Sequence, residues 1–130
     1  AREACVVVWK KGKVLLRRCE EGERWEGLWD FPRFAISAKR GARLHCELRE
    51  SVRHLAGYDV AIGEHLTTIK HGVTRYRITL TCHHAEHLSG RKAKGEFVWV
   101  RPEQLESYAL SVTGRKVSRK LSAMPVVASE

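Results

Sequence analysis

The sequence predicts an α+β fold in which helices pack on a mixed β-sheet. Three observations carry that expectation. Two short β-rich runs open the chain as a hairpin, one long segment has helical periodicity, and strands then resume in a cluster, which is not the alternation of a parallel βαβ array. With 130 residues and 43% hydrophobic content the chain can bury one core, so a single domain over residues 1–124 is expected, with a patternless, frayed tail at 125–130.

Ala4 to Trp9 and Lys13 to Cys19 are the strands of the hairpin, joined by Lys10-Lys11-Gly12, where glycine supplies the positive φ of a tight turn. A polar loop, Glu20 to Arg24, leads into a Trp-rich segment. Phe34-Ala35-Ile36 reads as a short strand, with Pro32 before it favouring an edge or a bend. From Gly41 to Ala56 the apolar residues Leu44, Leu48, Val52 and Leu55 recur at helical spacing, and Gly57 follows as a C-terminal stop. Tyr58 to Lys70 and Val73 to His83 read as strands. In the second, Tyr76, Ile78, Leu80 and Cys82 alternate with Arg75, Arg77, Thr79, Thr81 and His83, which predicts one core face and one wet, basic face. After a loop from Ser89 to Gly95, Phe97 to Val100 is a compact strand, Pro102 opens a helical turn, and Val112 to Met124 is a basic terminal helix.

Lys and Arg total 24 against 15 Asp and Glu, giving a net charge of +9 and a pI near 9.8, the balance of a protein that meets polyanions. Cys5, Cys19, Cys46 and Cys82 are widely spaced, with no C-x-x-C pair, so no metal site is expected from them. The longest apolar runs are too short to cross a bilayer, and a reducing cytoplasm is the expected compartment, with no membrane partner. Ala1 falls in the approach to a strand with no initiator Met, which predicts a domain of a longer protein.

Trp25-Glu26-Gly27-Leu28-Trp29-Asp30-Phe31-Pro32, followed by the helix ending at Gly57, resembles the approach to a Nudix box. The family box runs Gly, five residues, Glu, seven residues, Arg-Glu, an apolar residue, any residue, Glu-Glu, any residue, Gly. With Gly57 as the final glycine, the acid positions fall on Ala42, Ser51, His54 and Leu55. With Arg49-Glu50 in the Arg-Glu slot, the Glu-Glu pair becomes Arg53-His54 and the glycine becomes Ala56. Magnesium asks for hard oxygen ligands, and neither register supplies the set. Glu47 and Glu50 read as solvated helix residues, and no catalytic residue is assigned.

Three segments extend the resemblance to the C-terminal domain of MutY-type adenine DNA glycosylases, a MutT-related domain that helps recognise 8-oxoguanine opposite a misplaced adenine. They are Arg24 to Pro32, His71-Gly72-Val73-Thr74-Arg75-Tyr76-Arg77-Ile78, and Tyr108-Ala109-Leu110 with Arg115-Lys116-Val117. The resemblance implies a Nudix-like α/β/α sandwich. It also implies a role in base-excision repair at the bacterial nucleoid, as a monomer on double-stranded DNA containing 8-oxoguanine. The family's second segment carries His, any residue, Phe, Ser, His; here Val73, Thr74 and Arg75 fill the last three places. Thr74, with Val73 and His71, would face the lesion, its hydroxyl able to donate and accept, while Arg75, Arg77, Arg115 and Lys116 would hold phosphates. Val73 in place of the aromatic weakens any wedge role, and Arg75 in place of a neutral ring suits phosphate. Trp25 and Trp29 read as packing anchors. Arg119 and Lys120 follow on the same side of the terminal helix. The family's adenine-removing chemistry belongs to an N-terminal helical catalytic domain with a 4Fe-4S cluster; this domain is expected to need no cofactor of its own. The competing expectations are an active Nudix hydrolase on oxidised nucleoside triphosphates, using Glu20, Glu21 or Glu26, and a protein-interaction module.

Overall fold

A computed structural model of the chain describes residues 2–73 and 75–123. Its first hairpin pairs β1 (Arg2–Lys10) with β2 (Lys13–Arg18) through Lys11 and Gly12, both at positive φ, 50° and 76°. Two consecutive left-handed residues make the turn whose twist matches that of the strands. The short strands β3 (Trp29–Asp30) and β4 (Arg33–Ala35) follow, then α1 (Gly41–Ala56). Next come β5 (Tyr58–Val73) and β6 (Tyr76–Gly90), β7 (Phe97–Val100), a 3-10 helix (Pro102–Ser107) and α2 (Val112–Ser122).

Among the described residues the strands form one mixed seven-stranded sheet. Its main path runs β3-β2-β1-β6-β5, with β4 paired to β1 and β7 to β2. β1 and β6 pair in parallel, in unbroken register from Arg2 opposite Thr79 to Trp9 opposite Glu86. β1 lies in the middle of the sheet and is covered on both faces, which is why its sequence is a continuous apolar run. Its side chains divide between two cores. Cys5 and Val7 join Leu16, Phe31, Leu80, Val117 and Leu121 beneath α2 and the 3-10 helix. Ala4, Val6 and Val8 join Leu15, Leu44, Leu48, Val52 and Ala56 beneath α1. The result is the expected three-layer α/β/α sandwich. Fully burying a Leu or Val of this set contributes about 1.5–3 kcal/mol.

Several expectations shift in detail. The buried face of α1 ends at Ala56, while Leu55 is only half-buried, so the apolar steps are four, four and four. β5 and β6 run to 16 and 15 residues, longer than their alternating patterns, because irregularities at Asp59/Val60, Ile62/His65 and His65/Thr67 reset the phase of β5. On β6, Ile78, Leu80 and Cys82 are buried as expected, but His83 is not on a wet face: it is 6% exposed, because the rings of His45 on α1 and His65 on β5 cover it. The terminal helix ends at Ser122, with Met124 and the tail at 125–130 outside the described residues. No helix among the described residues is long and apolar enough to cross a membrane.

Candidate nucleic-acid interface

The tip of the β5–β6 hairpin is basic because Lys70, Arg75 and Arg77 lie on it. Lys70, His71, Arg75 and Arg77 line an open cavity of about 610 Å³ with Gly72, Ile78 and Thr79. Lys70, Arg75 and Arg77 are exposed and His71 half-buried. Thr74 lies outside the described residues, and the lesion-facing expectation for it and for the Val73 side chain lies there too.

Beside the β1–β6 ladder that begins at Thr79, an ionic network on β1 and β4 touches this tip at His71. Arg33 on β4, its side chain only 8% exposed, donates from Nε to Glu3 Oε1 at 2.6 Å and from Nη1 to the Thr113 hydroxyl of α2. Its Nη2 lies 3.3 Å from His71 Nε2, and Asp30 stands 3.8 Å away. Arg24, from the Trp-rich loop, donates to both oxygens of Glu3 at 3.0 and 2.8 Å. Burial works against ionised Glu3, but the bonds from Arg24 and Arg33 outweigh it and hold the carboxyl below its ordinary value. His71 moves the same way for a different reason: burial, then repulsion from Arg33 and Arg24, with a smaller push from Lys116, disfavours its cation, and Glu3 only partly compensates. Asp30 is the counter-case. Burial pushes its carboxyl up to about 6, against the attraction of Arg33 and the bonds it accepts from the Ser111 hydroxyl and the Phe31 amide.

The third segment is docked on the first by backbone. Trp29 N donates to Ala109 O at 2.8 Å and Ser111 N to Trp29 O at 3.0 Å, while the Trp29 ring meets Tyr108 edge-on with centroids 5.8 Å apart. Ser111 then caps α2 by accepting from Gly114 N at 3.0 Å, and a Cβ at Gly114 would sit 2.9 Å from Asp30 Oδ1, so any larger residue would press on the Asp30 carboxylate. The structure thus brings His71, Arg75 and Arg77 to one cavity, while Lys116 on α2 lies outside its lining and acts on His71 only weakly, through its charge. Arg115 goes elsewhere. Its guanidinium donates to Leu105 O at 3.2 Å and Tyr108 O at 2.6 Å, anchoring α2 on the 3-10 helix, so it does not share the exposed side of Lys116, Arg119 and Lys120. Sequence reasoning missed Glu3 and Arg33, which meet across 30 residues. A larger open groove, about 850 Å³, lies at the far end of β1 among Trp9, Lys10, Ile62 and His84; it contains none of the site residues expected from sequence.

The model of the NUDIX domain family matches residues 4–120. The chain belongs to the NUDIX domain family. Solved NUDIX-fold structures agree. The E. coli ORF135 protein superposes with a TM-score of 0.77 at 20% identity, covering 94% of this chain and 88% of its own. The MutT protein from Methanosarcina mazei Go1 gives 0.77 at 17%, covering 93% and 91%. The C-terminal domain of mouse MUTYH, solved in complex with human PCNA, gives 0.67 at 19%, covering 93% and 86%. Comparison with curated proteins finds no match.

A NUDIX domain raises the question of a magnesium site on α1, and the donor set does not fit one. Ala42 and His54 are exposed, Ser51 and Leu55 half-buried, and none offers a carboxylate. The nearby charges are already paired: Arg49 and Arg53 donate to Asp59 at 2.9 and 3.0 Å, and Glu50 lies 3.4 Å from Arg53. Glu47 departs from the solvated role expected of it. Its carboxylate accepts from Ser37 N at 2.9 Å and Ala38 N at 2.8 Å, fastening the loop ahead of α1. Among the described residues no group of three or more His, Cys, Asp or Glu is arranged to hold a metal ion.

Proposed function

We propose that this NUDIX domain recognises 8-oxoguanine in duplex DNA, as the C-terminal part of an adenine DNA glycosylase whose helical catalytic domain and 4Fe-4S cluster lie elsewhere in a longer chain. The observation that carries the reading is the basic cavity at the β5–β6 tip, lined by Lys70, His71, Arg75 and Arg77, which Arg33 ties to α2 through Thr113 and, through the Glu3 carboxylate it shares with Arg24, to the Trp-rich segment. The non-acidic donor set on α1 supports it, and the fold likeness to the mouse MUTYH domain is compatible with it. In this reading Thr74, with Val73 and His71, faces the oxidised guanine, while Arg75, Arg77 and Lys116 neutralise backbone phosphates. Arg115 serves by holding α2 in position. Phosphate contacts of this kind set register without reading sequence, so lesion preference rests on the hairpin tip.

The test is duplex binding by the 130-residue chain as salt is varied. Three phosphates neutralised give a log-log slope of about −2.7 at roughly −0.9 each. Duplexes with 8-oxoguanine opposite adenine should bind more tightly than those with guanine there, and Thr74→Ala should narrow that gap. A slope near zero sinks the reading and favours an interaction module. Release of phosphate or pyrophosphate from a nucleotide panel with magnesium, at enzymatic rates, sinks it in favour of a hydrolase.

A further inference from the structure

We propose that Arg33 fixes His71 as the neutral, Nδ1-protonated tautomer, and that this free ring edge donates a hydrogen bond to a phosphate oxygen in the cavity at the β5–β6 tip. The identity of the polyanion rests on the function proposed above, with His71 meeting the phosphate that flanks the oxidised guanine rather than the base itself; the tautomer does not rest on it. A guanidinium carries donors and no acceptor, so the 3.3 Å contact between Arg33 Nη2 and His71 Nε2 requires Nε2 to be bare. The ring's proton then belongs on Nδ1, directed away from Arg33.

Arg33 cannot easily turn aside to admit a proton at Nε2. Its other nitrogens are tied to Glu3 at 2.6 Å and to the Thr113 hydroxyl, and its side chain is 8% exposed. The groups around His71 come from five places: Arg33 on β4, Arg24 on the Trp-rich loop, Glu3 on β1, Lys116 on α2, and Lys70, Arg75 and Arg77 on the hairpin itself. Glu3 is the acid of that set, and its oxygens are taken by Arg24 and Arg33. Burial and the surrounding cations lower the proton affinity of His71 accordingly. His71 therefore differs from its basic neighbours: it is a short, uncharged donor, suited to fixing the position of a phosphate oxygen that Lys70 and Arg75 attract at longer range. Because Nε2 is blocked, its contribution should not grow on mild acidification as an imidazolium–phosphate pair would.

Nitrogen-15 NMR of the His71 ring in the full chain decides the first half. The expected spectrum is that of the Nδ1-protonated neutral ring at neutral pH, and an Nε2-protonated or cationic ring overturns the proposal. Inorganic pyrophosphate is the probe for the second half. It should shift the His71 Nδ1 resonance, and no shift at saturating pyrophosphate overturns the donor role. His71→Asn puts an amide near the Nδ1 position and should bind pyrophosphate within about twofold of the parent. His71→Gln puts it near Nε2 and should bind about tenfold more weakly, a difference of roughly 1.4 kcal/mol; equal affinities for the two variants also overturn the proposal. Arg33→Met should free Nε2 and raise the proton affinity of His71 part of the way, burial and Arg24 still opposing its cation, so that binding strengthens on acidification as it does not in the parent, while Arg33→Lys, still a pure donor, should restore the parent profile. Should Arg33→Met fail to fold, the Asn and Gln pair still decides. A chain that meets these outcomes but binds 8-oxoguanine and guanine duplexes alike would keep this inference and lose the lesion-recognition function.

Discussion

Glu3 on the buried central strand and Arg33 on β4 form a 2.6 Å ion pair in which both side chains are largely shielded, at 16% and 8% exposure. Arg24 shares the same carboxylate, so a single acid fastens the Trp-rich loop and β4 to β1. Breaking a buried pair by removing one partner costs about 3–5 kcal/mol and an exposed one under about 1 kcal/mol. Glu3→Gln should fall between, at about 2 kcal/mol in urea unfolding. The pH dependence has a definite sign: the carboxyl sits below its ordinary value in the folded state, so its contribution is complete above the ordinary carboxylate range and is lost as pH falls through the lowered value. Glu3→Gln should lack that acid component, and an unchanged acid profile would show that the pair contributes nothing.

Gly57 ends α1 at φ 85°, donating its N–H to Arg53 O, and a Cβ there would lie 2.0 Å from the Arg91 carbonyl oxygen and 2.7 Å from Ala93 N. Both the left-handed backbone and the close approach exclude a side chain. Gly57→Ala is expected to cost more than about 3 kcal/mol, because backbone must shift as well as strain be borne. Thermal unfolding checks it; a loss below about 1 kcal/mol would mean that the loop at Arg91 yields freely.

His83 is buried between His45 and His65, with ring centroids 5.9 and 5.3 Å away, and its Nδ1 has no hydrogen-bond partner. Burial first, then the neighbouring histidines, lowers its proton affinity to about 4. The unfolded chain takes up this proton at an ordinary histidine value, so stability is complete above about 6.5 and declines as pH falls toward 4. His83→Leu should remove that decline. It should also match or exceed the parent at neutral pH, since an unmade buried hydrogen bond costs about 1–3 kcal/mol. Urea midpoints at pH 5 and pH 7 test both; an identical acid decline in the variant assigns it to other groups.

These cases mark what could be read from the chain and what could not. α1 was legible from Gly41 to Gly57 because periodicity and a left-handed stop are local signals. Its last core contact was misread as Leu55 in place of Ala56, since both fit a 3.6-residue period to within a residue. β1 was legible as a strand, but its place between β2 and β6 depends on pairings more than 70 residues apart, as from Trp9 to Glu86. The cavity's basic residues were visible as charge along the β5–β6 strands. The pairing of Arg33 with Glu3 and His71 was not, because it joins three strands through contacts that leave no spacing in the sequence. His83 sat in an alternating polar set, and only the rings of α1 and β5 above it make it a core residue.

Arg115 and Lys116 are adjacent in a basic run, yet they should fail differently when truncated. Arg115 donates to Leu105 O, which also accepts from Tyr108 N, and to Tyr108 O, so Arg115→Ala should cost about 1–3 kcal/mol of stability, chiefly through the Tyr108 carbonyl. Lys116 is exposed, and its charge registers at His71, so Lys116→Ala should leave stability within about 0.5 kcal/mol. Under the proposed function the same change should weaken binding to all duplexes alike and make the salt slope shallower by about 0.9. Arg115→Ala, measured where the variant is still folded, should keep the slope. Paired unfolding and salt-titration curves separate the two roles, and a slope that falls for Arg115→Ala but not for Lys116→Ala would reverse them.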